Sequence, residues 1–68
     1  MKTVEDMKKY FGFSDSDLDE LHAGNIRDLI KLNKKRLYWI TTGYARKEVE
    51  EEIEYLEIAL KCALNKEV

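Results

Sequence analysis

The stretch KEVEEEIEYLEIALKCALNK, residues 47–66, decides the fold because it carries two apolar stripes at helical spacing. One stripe recurs every three or four positions and comprises Val49, Ile53, Leu56, Leu60 and Ala63. The other comprises Tyr55, Ile58 and Cys62. A helix that is apolar on two faces needs a partner on each of them. We therefore expect two other segments, of this chain or of a second chain, to pack against this helix.

A matching pattern upstream predicts the first partner. It keeps the same alternation of four and three positions and comprises Ile26, Ile30, Asn33, Leu37, Ile40 and Tyr44. This 3.5-residue repeat is typical of coiled-coil packing. A short turn over residues 41–45 makes the two helices antiparallel, so the pattern predicts an αα-hairpin. Asn33 lies in the middle of this seam, where a polar residue either sets register and oligomeric state or occupies a loosely packed edge.

Start and stop signals divide the chain into four helices. Three polar residues are each followed three positions later by an aspartate, as helix N-caps often are: Thr3, Ser14 and Asn25. Three glycines stand where a left-handed C-cap would end the preceding helix: Gly12, Gly24 and Gly43. These signals predict helices over residues 4–11, 15–23, 26–42 and 45–65.

The predicted fold class is all-α, because no stretch alternates with period two for long enough to indicate a strand. Two short N-terminal helices, within residues 1–24, are expected to pack on a long, coiled-coil-like antiparallel hairpin over residues 25–68. A chain of 68 residues is short enough that we expect a single small domain with a thin core.

Charge is segregated along the chain. Residues 1–20 carry a net −3, residues 21–47 a net +6 and residues 48–68 a net −5, which gives −2 for the whole chain. Lys34 and Arg36 flank the seam on the first long helix, and we expect them to meet the flanking glutamates of the second: Glu50, Glu52 and Glu57. Such exposed pairs fix orientation more than stability.

The hairpin has more apolar residues than one seam can hide. Leu32 and Trp39 lie seven positions apart on the outer side of their helix. N-terminal residues that can cover one spare face are Val4, Met7, Phe11, Phe13, Leu18 and Leu21. Tryptophan and tyrosine are enriched at protein interfaces, so the other spare face is predicted to bind a protein, either a second copy or a larger target. The candidate partner-binding residues are Lys31, Leu32, Lys35, Trp39, Tyr55 and Ile58.

Two features favour a nucleic acid as the partner instead. The stretch KLNKKRLYW, residues 31–39, combines four basic residues with a tyrosine and a tryptophan, which can bind phosphate and stack on bases. Residues 3–21 also resemble a degenerate helix-turn-helix, with Gly12 at the turn between apolar positions. The resemblance implies that SDSDLDELH, residues 14–22, reads DNA, yet this segment is acidic and Lys8 stands where the motif keeps a small residue.

The acidic segment is itself a candidate docking surface. It comprises Asp15, Asp17, Asp19 and Glu20, which could imitate phosphates in a basic groove of a partner. A run of charge is more often a solvated helix face, and a sequence pI of about 5.4 is low for a dedicated nucleic-acid binder.

No catalytic, cofactor or metal site is predicted. Cys62 is the only cysteine and His22 the only histidine, too few for a disulfide framework or a zinc site. The glutamates of residues 50–57 have no histidine one helical turn away. Nothing resembles a signal peptide or a membrane span, so we expect a cytoplasmic location.

The sequence therefore predicts a small, non-enzymatic protein-interaction module. We expect a regulator or inhibitor that docks on a larger protein or complex, with a homodimer as one possible arrangement. Size and charge are typical of bacteriophage and mobile-element products that antagonise host enzymes or defence systems. The alternative is a nucleic-acid-binding protein that uses residues 31–39 or the helix-turn-helix-like residues 3–21.

Overall fold

The computed structural model describes residues 2–66, which form four α-helices and no strand. Helix α1 spans Val4–Phe11, α2 spans Asp15–Asp19, α3 spans Ala23–Trp39 and α4 spans Gly43–Lys66. Helices α3 and α4 form the hairpin, and α1 and α2 each pack against α4. The predicted all-α fold with a helical hairpin is confirmed.

Helices α1 and α2 begin at the capping boxes that the sequence predicts. The backbone N–H of Asp6 donates to Thr3 Oγ1 at 3.3 Å, and the backbone N–H of Thr3 donates to Asp6 Oδ2 at 3.1 Å. Ser14 and Asp17 repeat the arrangement at 3.3 Å and 2.9 Å. The hydrogen bonds from Thr3 lower the pKa of Asp6, because they favour its charged form. Each box satisfies N–H groups that a helix otherwise leaves unpaired.

The boundary signals predicted around α3 are wrong. Helix α3 begins at Ala23 with His22 as its N-cap, so Asn25 lies within the first turn and caps nothing. Gly24 also lies inside α3, and Gly43 is the first residue of α4 and does not end the preceding helix. Ala23 is buried in the core, so tertiary packing extends α3 beyond its local start signal.

The predicted seam forms the centre of the core. The buried apolar residues are Met7, Ala23, Ile26, Ile30, Val49, Ile53, Leu56, Ala59 and Ala63. Leu37, Ile40 and Leu60 of the predicted seam are half-buried. Tyr44 is 79% exposed, so its predicted place in the seam is wrong. Helix α3 ends at Trp39, and no further turn of it is available to pack against Tyr44.

The second apolar stripe of α4 is covered by α1. The Tyr10 ring stacks on the Tyr55 ring with centroids 4.5 Å apart, and the Phe11 ring meets Tyr55 edge-on at 6.4 Å. Met7 of α1 is fully buried in the core. Lys2 Nζ lies 5.6 Å from the centre of the Tyr55 ring. Tyr10 is still 44% exposed, and its partial burial raises its pKa because desolvation disfavours the phenolate. The nearby glutamates of α4 add to the rise.

Asn33 takes part in a polar link across the seam. It is buried, and its Oδ1 accepts a hydrogen bond from Arg36 Nη1 at 3.0 Å. Arg36 Nη1 also lies 3.8 Å from Glu52 Oε2 of α4, as the charge pattern predicts. A buried polar group tied in this way disfavours alternative registers of two helices. Because Asn33 is buried, it does not occupy the loosely packed edge of the second interpretation, and its role in setting the register stays a prediction.

The other two glutamates predicted to flank the seam do not pair with α3. Glu50 Oε1 lies 3.3 Å from Arg46 Nε on its own helix. Glu57 is exposed and forms no ion pair within residues 2–66. A residue four positions away on the same helix is a nearer neighbour than one on the facing helix, which explains why Glu50 pairs with Arg46.

Gly12 and Gly24 offer a matched test of this architecture. An added Cβ would meet no atom within 4 Å at either position, but only Gly12 has a positive φ, of 75°. We expect Gly12→Ala to lower the free energy of unfolding by about 1–2 kcal/mol, because the left-handed conformation strains an L-residue. Gly24→Ala should raise it by about 0.5 kcal/mol through a less flexible unfolded chain. Urea unfolding monitored by circular dichroism measures both changes. Shifts of the same sign would contradict a left-handed backbone at Gly12 alone.

Candidate functional site

The outer side of α3 exposes large apolar side chains. Four of the seven large apolar residues exposed in the described chain belong to this helix: Leu29 at 47%, Leu32 at 57%, Tyr38 at 88% and Trp39 at 82%. Helix α3 packs against α4 alone, so its opposite side has no helical partner among residues 2–66. Apolar surface of this kind, gathered on one element, is typical of an interaction site.

Five side chains of α3 line a shallow groove of about 570 Å³: Lys31, Lys34, Lys35, Tyr38 and Trp39. We call it the α3 groove. Its residues lie at positions i, i+3, i+4, i+7 and i+8 of one helix, a spacing that brings them to one side. The rings of Tyr38 and Trp39 meet edge to face with centroids 6.4 Å apart. Three ammonium groups and two aromatic rings thus share one surface.

Lys34 belongs to this groove, and the prediction that it meets the glutamates of α4 is wrong. It forms no ion pair within residues 2–66, whereas Arg36 reaches Glu52. Residues two positions apart point roughly 200° apart around a helix, so Lys34 and Arg36 lie on opposite flanks of the seam. On its flank Lys34 lies beside Tyr38 and near Arg46 of α4, a cation with which it cannot pair.

The groove is positively charged, and its lysines form no ion pair within the described part of the chain. Lys31, Lys34 and Lys35 are all exposed. Like charges three and four positions apart on a helix repel one another. An ammonium group offers three donors and no acceptor. The groove can therefore bind anionic groups and apolar groups side by side.

The six predicted partner-binding residues divide into two groups. Lys31, Lys35 and Trp39 line the α3 groove, and Leu32 lies beside it because it is seven positions from Trp39. The other two lie on α4 and are half-buried: Tyr55 beneath Tyr10 and Ile58 against the core.

Two groove residues, Lys34 and Tyr38, are absent from that set of six. The signal that could have found them is their spacing from Lys31, which is three and seven positions.

The acidic segment contributes to the geometry of α1 and α2. Lys8 of α1 forms an ion pair with Asp15, which lowers the pKa of Asp15 and raises that of Lys8. Asp17 serves the capping box of Ser14. Residues 15–20 include no large exposed apolar side chain. Asp15 and Asp17 therefore have structural roles. The other two acidic candidates are Asp19 and Glu20.

The helix-turn-helix-like segment is poorly suited to DNA. Helices α1 and α2 are joined by residues 12–14, as in that motif, but α2 has only five residues and three of them are aspartates. A recognition helix approaches phosphates and needs donors or positive charge there. Repulsion therefore opposes insertion of α2 into a groove of DNA.

Two other kinds of site, a metal centre and a membrane span, would leave a clear mark on residues 2–66. No three side chains among His, Cys, Asp and Glu gather as a metal site would require. None of the described helices combines the length and the apolar character needed to cross a membrane. No protein family, curated protein or solved structure matches this chain.

Substitutions at Trp39 and Tyr55 compare a ring on the exposed surface with a ring packed against the core. We expect Trp39→Ala to change the free energy of unfolding by less than about 0.5 kcal/mol, because the indole is mostly in water. Tyr55→Ala should lower it by about 2 kcal/mol or more, because the ring stacks on Tyr10 and packs against the core. Urea unfolding monitored by circular dichroism compares them. A large loss for Trp39→Ala would contradict the exposed position of this ring.

Proposed function

We propose that this chain is a protein-interaction module that docks on a larger protein or complex through the α3 groove and Leu32. The supporting observation is the exposure of Tyr38 and Trp39, at 88% and 82%, on a helix whose other side is buried against α4. Tryptophan and tyrosine are the residue types that most often dominate binding energy at protein interfaces. Their rings have few rotatable bonds, so ordering them on binding costs little entropy.

The scaffold beneath the groove is rigid enough to present these side chains. Ile26, Ile30 and Asn33 anchor the inner side of α3 in the core, and Arg36 ties it to Glu52. A surface held in its binding conformation loses less freedom when a partner docks. The exposed rings belong to the last turn of α3, whose inner side packs against α4.

A chain that binds its target without chemical change would act as a regulator or an inhibitor. The α3 groove offers cations and apolar surface and no group arranged for proton transfer, so the chain would act by occupying a surface of its target. The proposal includes a cytoplasmic site of action, where the thiol of Cys62 would remain reduced. It also includes an origin in a bacteriophage or mobile element, on the basis of the short, highly charged chain.

Affinity capture with matched variants tests the docking proposal. The wild-type chain, a Leu32→Ser/Trp39→Ser double variant and a Val4→Ser control are immobilised and exposed to an extract of the native cell. Val4 is also an exposed apolar residue but lies on α1. We expect the wild type and the control to retain one protein, and the double variant to retain at least tenfold less of it. Its retention should persist after nuclease treatment. Identical retention by all three baits would refute docking through α3.

Nucleic-acid binding is a second candidate function, favoured by the position of Lys34. Lys34 forms no ion pair within residues 2–66, so three lysines stand beside two exposed rings, an arrangement that can hold phosphates and stacked bases. This candidate uses the same groove and residues 31–39. It differs from protein docking in its dependence on salt.

Fluorescence of Trp39 distinguishes the candidates, because this residue is the only tryptophan. We expect no saturable quenching by a single-stranded oligothymidylate of about 15 nucleotides at about 100 mM salt, because three lysines in an acidic protein give little counterion release. Saturable quenching that weakens with salt at a logarithmic slope of about −2, as three phosphate contacts would give, would favour the nucleic acid. Lys31→Gln is the variant that should then reduce the slope.

A further inference from the structure

We propose that the α3 groove binds an acidic, amphipathic helix of the partner protein. This inference rests on the proposed function and adds the chemistry of the partner. Apolar side chains of that helix would cover Trp39 and Leu32, and its carboxylates would face Lys31, Lys34 and Lys35.

The charge around the groove selects an acidic partner. The three lysines of the groove lack carboxylate partners within residues 2–66, and residues 21–47 carry a net +6. An adjoining pocket adds Arg46 beside Lys34 and Tyr38. Complementary potentials across an interface speed encounter and reject partners of the wrong charge. A basic or neutral helix would leave the mutual repulsion of the lysines in place.

An exposed leucine beside the groove favours a protein over a nucleic acid. Leu32 is 57% exposed and lies seven positions before Trp39, on the same side of α3. Aliphatic side chains gain nothing next to phosphates, whereas they pack against the apolar side of an amphipathic helix. A partner that carries carboxylates and apolar side chains together uses every exposed group on this side of α3.

A second copy of this chain does not have the required surface. The acidic surfaces of the chain are α2 and the outer side of α4. Within the described residues α2 exposes no large apolar side chain, and α4 exposes one, Tyr44, a turn before Glu48, whereas covering Leu32 and Trp39 takes two such side chains. Two α3 grooves facing each other would bring lysines against lysines. The occupant is therefore a different protein.

The spacing on α3 defines the partner segment more closely. Leu32 and Trp39 are seven positions apart, which is about 10 Å along the helix axis. Lys35 lies between them and Lys31 one turn before it. A matching helix has two large apolar residues about two turns apart and at least two carboxylates on the side that faces the lysines.

Designed peptides provide the probes. Three labelled helical peptides share two large apolar residues seven positions apart and differ only in their polar residues, which are glutamate, glutamine or lysine. An oligothymidylate is the fourth probe. Binding is measured by fluorescence anisotropy and by the emission of Trp39. We expect the glutamate peptide to bind at least tenfold more tightly than the glutamine peptide and the lysine peptide to show no binding.

Charge-reversal variants locate the binding. Lys31→Glu/Lys35→Glu should weaken binding of the glutamate peptide more than tenfold and allow the lysine peptide to bind. Lys9→Glu/Lys61→Glu makes the same change in net charge on α1 and α4 and should leave both affinities within about twofold, because long-range charge is screened by salt. Circular dichroism verifies the helix content of each variant.

The outcomes separate this proposal from the proposed function. Equal affinity for the glutamate and glutamine peptides, lost in Trp39→Ala, would overturn the acidic class and leave protein docking intact. Tighter binding of the oligothymidylate through the same lysines would overturn both. A mass in light scattering of twice the 8.1 kDa chain, lost in Trp39→Ala, would assign the groove to a second copy and overturn the proposal. Absence of binding by all three peptides would overturn it as well.

Discussion

Helix α4 is the surface on which the rest of the molecule depends. Helices α1, α2 and α3 all pack against it, and no other pair of the described helices comes into close backbone contact. Two apolar stripes make this possible, because one faces α3 and the other lies beneath α1. A helix with a single neighbour buries a single side. The exposed rings of Tyr38 and Trp39 are thus a consequence of the layout, in which α3 has one neighbour and α4 has three.

Within one turn of α3, the polar residues divide into those that pair within the fold and those that do not. Asn33 and Arg36 are turned toward α4, where they form a link that ends at Glu52. Lys35 is turned away from α4, and Lys34 lies on the opposite flank of the seam from Arg36, near Arg46; neither has a carboxylate partner in residues 2–66. Of the basic residues within 31–39, only Arg36 therefore pairs with α4, and the division is set by helical rotation.

The hairpin and the packing of α1 on α4 could be predicted because they follow from helical periodicity, which is visible in the sequence. The capping boxes at Thr3 and Ser14 could be predicted because their contacts span three residues. The start of α3 could not, since burial of Ala23 outweighs the local signals. The membership of Lys34 in the groove was missed for a related reason. Net charge by segment does not show which side of a helix a charge occupies.

The cover over the second stripe of α4 has a consequence for assembly. Without α1, the chain would present Tyr55 and its neighbours as a second apolar face in addition to the outer side of α3. A molecule with two distinct adhesive faces can join copies or partners end to end into open-ended chains. By stacking Tyr10 on Tyr55 and burying Met7, helix α1 leaves one such face. Under the docking through α3 that we propose, the N-terminal helices would thus leave the molecule one binding face, which favours discrete complexes over polymers.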